Sequence, residues 1–165
     1  MHVLRQLPFC DTPYTVPVAG EDVAIRAFQI VVWLSLNAGD VLGKDARRFP
    51  AVLDTGHTHN LSIRENQLLL WAGVQPDSVA ELGSILVNRD EVPLRAAHLW
   101  IHRNRPGTAE LLPRPFRLEV PQGIAVYPSG VPSAPRLPLL GLRAVVRSKL
   151  KLTIDGDKMQ VSLRS

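Results

Sequence analysis

The apolar runs of this chain are short, and the best formed of them alternates with a period of two. In Ala27 to Leu36 (AFQIVVWLSL), Phe28, Ile30, Val32, Leu34 and Leu36 face one way and Gln29, Val31, Trp33 and Ser35 the other. That spacing, with its β-branched content, marks a strand covered on much of both faces. The period returns near the C-terminus. Leu150, Leu152 and Ile154 share a face, Asp155-Gly156 turns the chain, and Met159, Val161 and Leu163 come back on the same face as a hairpin. A parallel α/β sheet needs repeated crossover helices of about ten or more residues, and none is present. The expectation is therefore an all-β chain with a few short helices.

Between these segments the signals are brief. The first 24 residues hold Pro8, Pro13, Pro17 and Gly20 and read as an irregular or edge-strand segment preceding a domain over residues 25–165. Ser62 with Glu65 forms a capping-box pattern for a helix carrying Leu68, Leu69 and Trp71 and stopped by Gly73. A second helical turn is expected from Asp77 to Leu82. Residues 84 to 103 read as two strands joined near Asp90-Glu91. Pro106 to Pro138 is loop-like, with short strands at Phe116 to Val120 and Gly123 to Tyr127. A short helix, Leu142 to Lys149, is expected to turn Leu142, Val145 and Val146 to the core. The total is seven to nine strands and two or three helices, with no internal repeat.

The length of 165 residues suits one domain with a real core. The formal charge of +4 comes from scattered residues, and 5% aromatic content supplies no ladder for stacking bases, so nucleic acid is not an expected partner. Cys10 is the only cysteine, which excludes an internal disulfide. No apolar run is long enough to span a bilayer and the N-terminus lacks a secretory pattern, so a cytoplasmic protein without membrane association is expected. Trp33, Trp71 and Trp100 lie in periodic apolar segments and read as core or dimer packing.

The segment richest in chemistry is Pro50-Ala51-Val52-Leu53-Asp54-Thr55-Gly56. It places a carboxylate directly after a buried strand, followed by a small hydroxyl residue and a glycine that lets backbone approach closely. A later apolar pair and glycine, Leu139-Leu140-Gly141, precedes the Leu142 helix. Together these resemble the single-domain retropepsin-like aspartic proteases, over roughly residues 25–165. The resemblance implies an acid-protease fold closed as a β-barrel, and a homodimeric endopeptidase acting on peptide or protein substrates without a cofactor or metal. One chain has a single Asp-Thr-Gly, so the second carboxylate comes from a symmetry mate. Two carboxylates held together share one proton: the ionised member activates water and the protonated one polarises the peptide carbonyl.

The resemblance further implies the roles of individual residues. Asp54 is catalytic, Thr55 interlocks with its mate across the two-fold axis, and Gly56 offers its N–H to the carboxylate. Leu139, Leu140 and Gly141 form the strand behind the loop. His57 and Asn60 adjoin the substrate. The turn Asn88-Arg89-Asp90-Glu91 is the candidate flap, with Asn88 and Asp90 meeting substrate, and Tyr127 and Gly130 are alternative lid residues. His57 stands where a small residue is usual, and Asn60 where a hydroxyl is usual. Two other readings remain open: an inactive dimerisation or peptide-binding module of the same family, and a metal-dependent hydrolase using His57 and His59. His98 and His102, four apart on a strand and so about 13 Å from each other, do not share a metal.

Overall fold

The computed structural model describes residues 1–165. Its strands in chain order are β1 (His2–Pro8), β2 (Tyr14–Val18), β3 (Glu21–Ile25), β4 (Val31–Asn37), β5 (Phe49–Asp54), β6 (Leu61–Arg64), β7 (Glu81–Val87), β8 (Asp90–Arg95), β9 (His98–Ile101), β10 (Phe116–Leu118), β11 (Ile124–Tyr127), β12 (Leu139–Gly141), β13 (Lys151–Asp155) and β14 (Gln160–Arg164). Two helices, α1 (Glu65–Leu70) and α2 (Leu142–Arg147), and a 3-10 turn at Pro76–Ser78 complete it. Nine strands form the main sheet in the order β10-β9-β4-β5-β12-β6-β11-β8-β7, parallel at β5–β12 and β6–β11 and otherwise antiparallel. A three-stranded sheet, β1-β14-β13, and a ribbon, β2-β3, lie apart from it.

All three sheets feed one hydrophobic core. Leu4 of β1, Ile25 of β3, Leu34 of β4, Phe49 of β5 and Leu163 of β14 belong to the same buried cluster. Burying each such side chain contributes roughly 1.5–3 kcal/mol.

The expected closed barrel is not formed. The nine-stranded sheet ends at β10 on one side and β7 on the other, and these edges do not pair. Closure requires the outer strands to meet along a regular stagger. Here β10 is only three residues long and follows Pro113 and Pro115, while Leu82 and Leu86 of β7 are 55% and 77% exposed. The fold is an open, mostly antiparallel sheet with two short helices.

Other differences have local causes. Of the irregular or edge-strand reading of the first 24 residues, the edge-strand alternative holds: β1 lies at a sheet edge and pairs antiparallel with β14 from His2↔Arg164 to Pro8↔Gln160, and Pro17 lies in the two-stranded ribbon, where a residue without an N–H is tolerated. Ser62 is buried inside β6 and does not cap α1. Arg64 takes the N-cap position, and its N–H donates to Gln67 Oε1 at 3.1 Å. The helix expected over Asp77–Leu82 is reduced to the 3-10 turn, and Gly83 sits within β7 at a register shift. The expected long strand after Asp90 breaks at Ala96, whose N–H turns aside to the Ala80 carbonyl at 2.7 Å; β8 and β9 then serve different neighbours. In α2 the buried residues are Ala144 and Val145, while Leu142 and Val146 are 40% and 62% exposed. The Leu142 N–H is bonded to the His57 carbonyl, which anchors the start of the helix. No helix is long and apolar enough to cross a membrane.

Candidate active-site loop and adjoining cavity

Strand β5 is buried from Phe49 to Leu53 and emerges at Asp54, which is half-buried. Its parallel neighbour β12 runs alongside in the register Val52↔Leu139, Leu53↔Leu140 and Asp54↔Gly141. The chain then turns tightly. Gly56 N–H donates to Asp54 Oδ1 at 2.9 Å, and His57 N–H donates to the Asp54 carbonyl at 3.2 Å. A carboxylate that accepts from a backbone two residues on is held by its own turn. Thr55 and Gly56 are exposed on the single chain.

The loop after the turn lies against the junction of β12 and α2. Leu142 N–H donates to the His57 carbonyl at 3.0 Å, and Gly141 N–H donates to the Asn60 carbonyl at 2.9 Å. A Cβ on Gly141 would overlap the His59 carbonyl oxygen and stand 2.7 Å from that of His57. Both obstacles are backbone, so no rotamer change relieves them. The glycine of Leu139-Leu140-Gly141 is what allows the loop bearing Asp54 to sit where it does.

His57 and His59 lie together, ring centroids 5.5 Å apart and edge to face. The His57 Nε2 is 2.8 Å from Ser62 Oγ, itself fully buried. Burial lowers the His57 pKa, His59 lowers it further, and Asp54 works in the opposite sense. Net depression keeps the ring neutral near neutral pH, so His57 does not set a cation beside Asp54. Burial likewise lowers His59, with Arg143 adding to the effect. No group of three or more His, Cys, Asp or Glu side chains is gathered to hold a metal ion. His98 and His102 are separately engaged. His98 Nδ1 faces an Arg117 guanidinium nitrogen at 2.8 Å, whereas His102 is buried against Ser35.

Asn60 is buried. Its Nδ2 donates to the Gly123 carbonyl at 3.0 Å, and its Oδ1 has no partner. Through this contact the loop meets the strand β11 region and the β7–β8 hairpin, and a cavity of about 520 Å³ opens between them. Its walls include His59 and Asn60 from the loop, Leu82, Ile85 and Leu94 from the hairpin, and Arg143 from α2.

The hairpin tip lies elsewhere. Asn88 and Arg89 form a two-residue turn closing Val87↔Asp90, and Asp90 Oδ2 accepts from Ser133 Oγ at 3.3 Å. Neither Asn88 nor Asp90 lines the cavity; the body of the same hairpin does. Tyr127 is no lid residue. It is buried in β11, where burial raises its phenol pKa and the Ser62 side chain offsets part of that rise. Gly130 sits in an exposed turn. Sequence reasoning missed Arg143, Leu82, Ile85 and Leu94 as cavity residues. Only Arg143 carried a signal, its place two residues beyond Gly141.

No protein-family model, curated protein or solved structure matches the chain.

Proposed function

We propose that this chain is an aspartic endopeptidase of the retropepsin-like kind, acting in the cytoplasm as a homodimer whose two Asp54 side chains share one site. What carries the reading is the Asp54 turn itself: a half-exposed carboxylate at the end of a buried strand, bonded to Gly56 N–H and backed in register by Leu139-Leu140-Gly141. The exposure of Thr55, and of Leu142 and Val146 one helical turn apart on α2, suits a face that a second copy covers.

Catalysis follows from the pairing. One carboxylate is ionised and takes a proton from a water placed between the two, while the other, protonated, hydrogen-bonds the substrate carbonyl. The water oxygen attacks the carbonyl carbon. The C–N bond then breaks as the amine leaves with a proton, and no acyl-enzyme forms. An extended peptide in the cleft beneath β7–β8 presents alternate side chains to its walls.

The test is cleavage of a peptide library from about pH 4 to 8 by the wild type and by Asp54→Asn, with sedimentation to give the association state. Loss of about a thousandfold or more in kcat with Asp54→Asn, in a protein that remains dimeric, is expected. Equal cleavage by both forms removes Asp54 from catalysis. A wild type that binds peptides without cleaving them is the inactive module instead.

A further inference from the structure

The cavity beside the Asp54 loop has an uneven chemistry. Three of its walls, Leu82, Ile85 and Leu94, are aliphatic, and no Asp or Glu lines it. Its one permanent charge is the Arg143 guanidinium, which is half-buried and donates to the neutral Gln122 Oε1. Arg143 has no carboxylate partner; the single ion pair in the molecule is Arg105–Glu110, at 3.2 Å. A guanidinium has five donors, so one bond to an amide leaves most of them unused. His59 stands in the same wall, close enough for Arg143 to depress its pKa.

We infer that this cavity is a specificity pocket for an acidic side chain of the bound peptide, with Arg143 as its anchor and glutamate as its best occupant. The inference rests on reading the cleft as a peptide cleft. Glutamate fits for two reasons. Its two methylenes lie along the aliphatic wall, and its carboxylate reaches a guanidinium that offers paired, charge-assisted hydrogen bonds. Neutral His59 has one N–H to add. The position of Arg143 is also fixed relative to the chemistry. It follows Gly141 by two residues, Gly141 is the register partner of Asp54, and the backbone bonds from Gly141 and Leu142 tie α2 to the loop carrying His59. Arg143 and the Asp54 carboxylate are therefore held on one body, while the aliphatic wall belongs to the hairpin. In a two-fold dimer the pocket occurs twice, so the preference is expected on both sides of the scissile bond.

The experiment uses full-length protein and matched peptides carrying Glu, Gln, Leu or Lys at each position near the scissile bond. It measures kcat/KM with the wild type and binding, by fluorescence anisotropy, with Asp54→Asn. Glu is expected to exceed Leu by about tenfold at one position on each side, an advantage that fades with added salt. Arg143→Gln brings the ratio to about one, and Arg143→Glu turns the preference to Lys, a gain that a poorly folded protein does not give. Cleavage without any Glu preference, or a preference that survives Arg143→Gln, overturns the pocket and leaves proteolysis standing. Binding of Glu peptides that depends on Arg143, without cleavage by the wild type, overturns proteolysis and leaves the pocket. Absence of both cleavage and binding overturns the two together.

Discussion

The loop that follows Asp54 faces the β7–β8 hairpin across one cavity through His59 and Asn60, yet the two are built in opposite ways. The loop is fixed by backbone: Gly141 and Leu142 donate to its carbonyls, and a Cβ at position 141 has nowhere to go. The hairpin is fixed mainly by its own ladder. Its β7 strand is a sheet edge with exposed Leu82 and Leu86, Gly83 has open space around it, and its tip puts Asn88 and Arg89 at φ of 48° and 70°. The contrast teaches where rigidity is required. On the proposed reading, a carboxylate that pairs with its symmetry mate needs a floor with one arrangement, while a cover over a peptide must open.

The largest effect that separates the two regions is expected from a single methyl. Gly141→Ala forces the 57–60 loop off the β12–α2 junction and should cost on the order of 4 kcal/mol or more, read as a severe fall in Tm or failure to fold. Gly83→Ala, in the hairpin, meets no atom within 4 Å and carries only the strain of its φ of 144°, which is expected to cost about 1–3 kcal/mol. Comparable losses from both substitutions would erase the distinction between floor and cover.

A smaller effect lies in the main sheet behind the floor. Ser35 Oγ donates to the Arg47 carbonyl at 2.7 Å, so its 2.8 Å contact with His102 has the Nε2–H donating, and His102 Nδ1 is left buried without a partner. Burial, with Arg48 adding to it, lowers the His102 pKa to about 4. The unfolded chain binds this proton near pH 6.5 and the folded chain resists it. The stability is thus fully present above the unfolded value and lost as pH falls through the folded one. The gap corresponds to about 3 kcal/mol, and His102→Gln should flatten the denaturation midpoint between those two pH values. An unchanged slope would remove His102 as the cause.

The smallest effect sharpens the comparison from the hairpin side. Arg89→Gly places at the tip the residue best suited to positive φ in a two-residue turn, and is expected to stabilise by about 0.5–1 kcal/mol in urea unfolding. Hydrogen exchange should slow in β7 and β8 and stay unchanged at Leu53 and Leu140.

What the sequence made legible was local. The last hairpin was evident from its alternation and pairs as expected, Leu152 with Leu163 and Ile154 with Val161. The Asp54 turn and Leu139-Leu140-Gly141 were visible as motifs, although nothing in their order states that Gly141 lies in register with Asp54. The hidden features are contacts between distant residues. The pairing of β1 with β14 joins the two ends of the chain, and the prolines around it disguised the strand. An open sheet and a closed barrel demand the same alternation within each strand; they differ only in whether β10 meets β7. The helix α2 was read for its largest apolar residues, but its rotation buries small Ala144 beside Val145 and leaves Val146 outside. Arg143 looked like any charge on a short helix until that rotation turned it into the cavity.

The most direct measurement is subunit mixing. Wild-type and Asp54→Asn chains are unfolded, combined in equal amounts and refolded, and peptide cleavage is measured per wild-type and variant chain together. If one carboxylate from each copy builds the site, only dimers with two native aspartates cleave, and the mixture retains about a quarter of the wild-type activity. Retention of about half would mean that each chain works alone, and the shared pair of Asp54 side chains would be refuted.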